Sequence, residues 1–352
     1  MNMPRESAAR RLPAEWEPQD AVMLTWPHDD SDWAPTLHEV EPVFVAIAVA
    51  VCAREQLLLV ARDAAHLAHV ESLLEAAGLD MARVRAVIAP SNDTWARDHG
   101  PITVYDAGTP HLLDFVFNGW GGKFEAALDD ALSARLHEAG VFGAAAREPI
   151  AFVLEGGSLE SDGAGTLITT HECQHHAGRN PSLDTAAIEA QLKTAFGLQR
   201  VLWLHHGQLE GDDTDGHIDT LVRLCDTRTL AYQRCDDAAD PHFAELAAME
   251  AEVKALRTAA GEPYQLVPLP WPSAKRHADG RRMPATYANF LILNGAVLVP
   301  TYRDANDAVA LERLRGAFPG REVIGIDCLP LIAQGGSLHC VTMQLPAGTL
   351  AP

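Results

Sequence analysis

Runs of apolar residues long enough for a strand alternate along the chain with stretches whose apolar positions recur every three or four residues. This alternation predicts a mixed α/β protein. A helix is expected from about Pro42 to Arg54, a strand over Gln56 to Ala61, and a second helix near Ala64 to Ala77. Strands follow at Val84 to Ile88, Ile102 to Tyr105, Leu112 to Phe117, Ala151 to Leu154, Thr166 to Thr170, Val201 to His205 and His217 to Leu224. Further helices are expected at Leu183 to Phe196 and Phe243 to Ala260. Between Asn289 and Tyr302, Asn294-Gly295 separates two apolar runs, and that dipeptide supplies the positive φ angles of a tight hairpin. Some pairing is therefore antiparallel, which argues against a uniformly doubly wound sheet. No Ser/Gly-rich linker or low-complexity run divides the chain. A single domain over residues 1–352 is expected, with residues 1–11 a loosely ordered N-terminal segment.

Composition narrows the partners. With 352 residues, 47% hydrophobic and 21% charged, the chain can bury a large core without staples. Its formal charge of −21 repels phosphate backbones and attracts cations, so nucleic acid is not expected as a partner. Six scattered cysteines without a CxxC pair (Cys52, Cys173, Cys225, Cys235, Cys328, Cys340) fit a reducing cytosol better than a disulfide framework or a thiolate zinc site. The first residues lack the apolar core of a signal peptide, and the longest apolar run, Val43 to Ala53, is too short to span a bilayer. A soluble, cytoplasmic protein without a membrane partner is the expectation, and a homo-oligomer is left open.

Four stretches combine reactive side chains with glycines that let backbone approach a ligand: Trp95 to Pro101, Leu154 to Ser158, Gly211 to Asp219 and Gln334 to Cys340. The second and fourth echo each other, since Glu155-Gly156-Gly157-Ser158-Leu159 returns as Gln334-Gly335-Gly336-Ser337-Leu338. The third, GDDTDGHID, crowds acidic side chains around one imidazole, which costs self-repulsion unless a cation belongs there. On a strand, His217 and Asp219 would share one face. That cation could be a metal, with Asp213, Asp215, His217 and Asp219 as alternating ligands. The EF-hand spacing fails, however, because Gly211 stands where its first acidic ligand belongs. His171-Glu172-Cys173 with His175-His176 lacks helical zinc-protease spacing and reads as a polar loop.

Bland readings compete at each position. Cys340, inside Leu338-His339-Cys340-Val341, reads equally as a core thiol, and Cys52, Cys225 and Cys328 read as small buried hydrophobes. His205, His206 and His339 read as structural or solvated. Glu155 could simply end a strand, and Asp98 beside Arg97 could be a surface ion pair worth little.

Eight segments in series decide between these readings: LPAEWEPQDAVMLTWP, SNDTWARDHGP, FNGWGGKF, LEGGSLESDGAGTLITT, RNPSL, GDDTDGHIDT, ATYANFLILNGAVLVPTYRDANDAVA and GGSLHCVT. Together they resemble the guanidine-modifying enzyme superfamily, and most closely the agmatine deiminases and their bacterial peptidyl-arginine deiminase relatives. The resemblance implies a five-bladed pseudo-symmetric α/β propeller, the pentein fold, built from ββαβ-type repeats. It implies Cys340 as nucleophile, His217 as general acid/base, Glu155 as the carboxylate orienting the imidazole, and Asp98 and Asp219 as the grip on a guanidinium. Trp95 and Asn289 would line the site, with Trp120 and Asp215 as further wall residues. Thr220 and Gly335-Gly336-Ser337 stand where these enzymes commonly carry Asn and Gly-Gly-Gly-Asn. The implied activity is hydrolysis of agmatine to N-carbamoylputrescine and ammonia through an amidino-cysteine intermediate, with no metal or cofactor. Peptidyl-arginine or another guanidino compound is the alternative substrate. From another class, the acidic wall could serve a metal-dependent or non-catalytic binding protein.

Overall fold

The apolar runs become strands, and the helical patterns between them become crossovers that join strands in parallel. The computed structural model describes residues Arg10–Ala351. In chain order its strands are β1 Gln19–Thr25, β2 Gln56–Ala61, β3 Val84–Ile88, β4 Ile102–Asp106, β5 Thr109–Val116 and β6 Ala146–Val153. There follow β7 Glu160–Ser161, β8 Thr166–Thr170, β9 Arg200–Leu204, β10 Val222–Asp226, β11 Thr229–Gln233 and β12 Gln265–Leu269. The last are β13 Lys275–Arg276, β14 Arg282–Met283, β15 Leu291–Leu293, β16 Ala296–Thr301, β17 Glu322–Asp327 and β18 Thr342–Pro346.

Four sheets share one wiring. β4-β5-β6, β7-β8-β9, β10-β11-β12 and β15-β16-β17 each pair their first two strands antiparallel and their last two parallel. Because a parallel return needs a crossover, a helix precedes each third strand: Leu132–Glu138, Thr185–Phe196, Phe243–Ala255 and Asp307–Ala317. In a fifth sheet β1 runs parallel to β2 across the helix Leu37–Cys52, and β3 extends it. The antiparallel partner of β1 is β18, from the other end of the chain. The two ends of the fold are thereby tied into one sheet. β13 and β14 form a small separate hairpin.

Local chemistry explains the element ends. Leu57–Ala61 of β2 are all buried, as befits a strand with parallel neighbours on both edges. Asp63 caps the helix Ala64–Ala76 by accepting from the amides of Ala65 and His66, and Asp184 caps Thr185–Phe196 through Ala187. Gly197 ends the latter helix at φ 67°, a left-handed conformation that a Cβ would strain. The stretch Ala34–Cys52 is long and apolar enough by composition to cross a membrane, unlike the shorter run read from the sequence. Here Val40, Phe44, Ile47 and Val51 are buried in the core.

Several expectations shift. The helix read from Pro42 begins at Leu37, and the one read to Ala260 ends at Ala255, where Thr258 and Glu262 close a turn through Gly261. No strand runs from His217: Ile218–Thr220 form a short 3-10 turn and β10 starts at Val222. Side chains capture the backbone there, because Asp212 accepts from the amides of Thr214 and Gly216, and the Thr220 hydroxyl donates to the His217 carbonyl at 2.8 Å. His217 and Asp219 therefore do not share a strand face. The hairpin at Asn294-Gly295 forms, yet only Gly295 has positive φ. Asn294 instead ties the turn to β1 by bonding both the amide and carbonyl of Gln19. Of the N-terminal segment, residues 1–9 lie outside the described residues, while Arg11 is fixed by reciprocal backbone bonds with Tyr105 at 2.8 Å.

Candidate active site

Each connection that enters the first strand of a ββαβ unit delivers a site residue. Asp98 lies in the turn Ala96–His99 before β4, Glu155 and Gly157 before β7, and His217 and Asp219 before β10. Asn289 precedes β15 and Cys340 precedes β18. Residues from Asp98 to Cys340, far apart in the chain, are brought together at these strand entrances. All of these side chains are buried, with Glu155, His217, Asp219 and Asn289 at 0% exposure.

Asp98 accepts from the Gly157 amide at 2.9 Å through Oδ1 and from the Trp120 indole at 2.9 Å through Oδ2. His217 sits between carboxylates, Nδ1 3.6 Å from Asp98 and Nε2 3.7 Å from Glu155. Neither ring nitrogen has a hydrogen-bond partner. Both oxygens of Glu155 are held at 2.9 Å by Arg179 Nε. Asp219 accepts from His339 Nδ1 at 2.7 Å through Oδ2, while its buried Oδ1 has no partner. The Cys340 sulfur lies 3.4 Å from Asn289 Oδ1 and 4.0 Å from Asp219 Oδ2. Asn289 Oδ1 also receives the His339 amide at 2.9 Å, which fixes the turn that presents the thiol.

Crowding decides the protonation states. Burial pushes His217 down, but Asp98, Cys173 and Glu155 outweigh it and hold the ring well above its ordinary value, which favours the imidazolium. Burial, then Asp219 and Asp98, push the Cys340 thiol up, so the resting sulfur is protonated. Burial raises Asp219 and Glu155 too, yet His339 in one case and His217 with Arg179 in the other bring both below the usual carboxylate range. Burial, with Asp219 and Glu155 nearby, raises Asp98 in spite of His217 and the Trp120 indole.

Above the sulfur opens a cavity of about 600 Å³ whose walls include Trp95, Trp120, Asp98, Cys340 and the backbone of Gly335 and Gly336. Asp32, Asp93, Glu210 and Asp213 also line it. Arg282 at the rim is already paired with Asp240 at 2.7 Å, and Arg281 with Asp279 at 2.7 Å. The field left over favours a cation. Trp95 and Trp120 form a T-shaped aromatic corner, ring centroids 6.3 Å apart.

Not every expected residue reaches the wall. Asp215 does not line this cavity: at φ 66° it turns its oxygens to Lys123 (2.7 Å) and Arg179 (2.8 Å), and Asp213 and Thr214 stand at the wall instead. Asn289 and Asp219 do not line it either: both are fully buried and reach the site through the Cys340 sulfur, at 3.4 Å and 4.0 Å. Arg97 and Asp98 are both buried, so they are no surface pair. Glu155, Cys173 and His217 bring donor atoms within 4.8 Å of one another, a metal-like grouping. Arg179 already spans Glu155, however, and supplies the positive charge a metal would bring. Sequence reasoning missed Arg179 and His339 as parts of this site, and Glu15 behind them. Their segments, RNPSL, GGSLHCVT and LPAEWEP, carried the resemblance, but nothing in the letters alone says that a chain-distant acid faces them.

With this geometry in hand, the comparisons are specific. The model of the Porphyromonas-type peptidyl-arginine deiminase family matches residues 11–346. The chain belongs to that family. An agmatine deiminase of Stutzerimonas stutzeri is 33% identical, with 96% of this chain and 95% of that protein covered. A solved Porphyromonas gingivalis structure, provisionally named an arginine deiminase, is 52% identical over 97% of this chain and 100% of its own, with a TM-score of 0.91. A C. jejuni agmatine deiminase carrying a cysteine-to-serine substitution, with substrate bound, is 34% identical over 98% of both chains, with a TM-score of 0.89. Mixed α/β architecture in several small mixed sheets is common ground with these family members.

Proposed function

We propose that the protein is an agmatine deiminase, a hydrolase of the C–N bond in a linear amidine, with Cys340 as its nucleophile. The observation that carries this reading is the buried carboxylate of Asp219, whose Oδ1 has no partner and whose Oδ2 lies 4.0 Å from the Cys340 sulfur, next to an acid-lined cavity that Asp98 and Cys340 both line. A planar guanidinium between two carboxylates would satisfy that acceptor and fix the plane of its central carbon over the sulfur. Each such charge-assisted bond contributes on the order of 1.5 to 3 kcal/mol, and the larger gain is alignment.

In the resting site two nearby carboxylates keep Cys340 a thiol. An arriving guanidinium neutralises them, which lowers the cost of the thiolate, and the thiol proton leaves to solvent. The thiolate adds to the guanidinium carbon, and the tetrahedral adduct collapses as the imidazolium of His217 protonates the departing nitrogen, releasing ammonia. Glu155, anchored by Arg179, keeps the ring oriented. The neutral imidazole then takes a proton from water, which attacks the amidino-cysteine carbon and expels the Cys340 sulfur. With agmatine the second product is N-carbamoylputrescine. These steps draw on side chains alone.

The proposed arrangement of the fold is a five-bladed pseudo-symmetric propeller in one catalytic domain, each ββαβ sheet a blade. Support comes from the wiring shared by four sheets, from β18 joining β1 antiparallel to give the fifth a similar start, and from the delivery of site residues before the first strand of each unit. A soluble, cytoplasmic enzyme fits the cysteine usage.

One observation favours a second substrate. The family's description is of peptidyl-arginine deimination, and about 600 Å³ is more room than a four-carbon guanidine fills. Ammonia release from agmatine, free arginine and an arginyl peptide separates the readings. Turnover of agmatine is expected to exceed the others by about 100-fold in kcat/KM. Release from the peptide alone would reject the agmatine reading.

A further inference from the structure

His339 lies next to the nucleophile in sequence, but its ring faces away into a buried cluster of charge. Its Nδ1 is 2.7 Å from Asp219 Oδ2 and its Nε2 is 2.7 Å from Glu15 Oε2. Only 1% of His339 is exposed, so water does not take over either contact. An ionised carboxylate oxygen can only accept, and two such oxygens at this distance require both ring nitrogens to donate. The ring that satisfies both is the imidazolium.

Charge counting leads to the same place. Glu15 receives Arg223 at 2.9 Å through Oε2 and the Ile292 amide at 2.7 Å through Oε1. Both oxygens of Glu160 also accept, from Arg223 Nε at 2.7 Å and the Leu224 amide at 2.8 Å. Arg97 approaches Glu15 at 3.9 Å. The cluster thus holds three carboxylates, Glu15, Glu160 and Asp219, beside two guanidiniums, and an imidazolium at His339 brings the two signs level. An unbalanced buried ion is costly, and a broken partner leaves the remainder exposed to that cost.

We propose that His339, held as an imidazolium by Glu15, is a positioning residue that keeps Asp219 ionised and aims its unpaired oxygen at the substrate guanidinium. The inference rests on the reading of Asp219 as a guanidinium grip. It explains why a glutamate near the N-terminus reaches the catalytic centre: Glu15 is the far end of a relay Glu15–His339–Asp219 that ends on a carboxylate with one oxygen still unpartnered. His217 serves Glu155 and Asp98 instead, so the two histidines act on different carboxylates.

The test joins a substrate-free readout to a kinetic one. Long-range ¹⁵N–¹H spectra of the histidine-labelled free enzyme, assigned against His339→Asn, report ring protonation at about pH 7.5. A doubly protonated His339 is expected, and a neutral ring would overturn the proposal whatever the substrate. His339→Asn keeps one N–H for Asp219 without the charge, and His339→Leu keeps neither. KM for agmatine should rise about tenfold in the first and about 100-fold in the second, with kcat changing about threefold or less. Equal KM values for both variants and wild type would refute the positioning role. The spectral arm reads folded wild type and needs one folded variant for assignment only, His339→Gln serving where His339→Asn fails to fold, so a single misfolded variant does not shelter the idea. Failure of the substrate reading would appear separately, as a wild-type enzyme inert to agmatine, arginine and arginyl peptide, with the spectra still deciding the state of His339.

Discussion

The loops Glu155-Gly156-Gly157-Ser158 and Gln334-Gly335-Gly336-Ser337 share three letters and enter corresponding corners of the fold, yet they make room for different neighbours. In the first, Gly156–Ser158 form a 3-10 turn, and the Gly157 amide donates to Asp98. A Cβ on Gly157 would lie 2.5 Å from His217 Nδ1, 2.9 Å from Asp98 Oδ1 and 3.2 Å from Asp219 Oδ2. In the second, Gly335 closes the turn Leu331–Gln334 at φ 86°, and a Cβ on Gly336 would run into the ring of Trp95. One loop leaves space for charges to converge, the other for an aromatic wall to lie flat. The lesson is that a repeated motif fixes backbone shape, while the residues around it fix chemistry: Glu155 is bound by Arg179 at the centre, and Gln334 stands at the cavity wall.

Gly157→Ala should break the first loop's task with the largest effect. The added methyl must displace His217, Asp98 or Asp219, and kcat/KM is expected to fall about 1,000-fold. Thermal unfolding should show a loss of about 1 to 3 kcal/mol, typical of overpacking, so that activity falls far more than stability. Activity within about threefold of wild type would mean that the three side chains do not need their present spacing.

Gly336→Ala should act on substrate holding instead. KM is expected to rise about tenfold with a smaller change in kcat, and Trp95→Leu in the same chain should recover part of the loss by vacating the ring's space. Additive damage in the double variant would show that Trp95 and Gly336 are not coupled, and the contrast between the loops would lose its physical basis.

Periodicity made the scaffold legible. Gln56–Ala61, Val84–Ile88 and Thr166–Thr170 occupy the residues their patterns predict, the first as a buried strand between parallel neighbours, the last buried too, and Val84–Ile88 as a partly exposed edge strand. It failed at His217 to Thr220, where short polar side chains capture the backbone and a strand-like spelling becomes a turn. For the candidate site, Asp98, Glu155, His217, Asp219 and Cys340 were nameable from the segments that resemble the family, and the fold brings them together. Asp215 was misjudged because its neighbours Lys123 and Arg179 come from other units of the fold. His339 looked bland for the same reason, since its partners Glu15 and Asp219 lie far from it in sequence. Contacts between distant segments carry no local signature, so the acid cluster behind the nucleophile became visible only in three dimensions.

The covalent step is tested most directly by mass spectrometry of enzyme quenched in acid during turnover of agmatine, with Cys340→Ser as the control. A fraction of wild-type chains should carry the amidino group on the peptide containing Cys340, and the serine variant should carry none while remaining folded. Steady turnover with the adduct on another cysteine, or turnover surviving in the serine variant, would contradict the assignment of the sulfur.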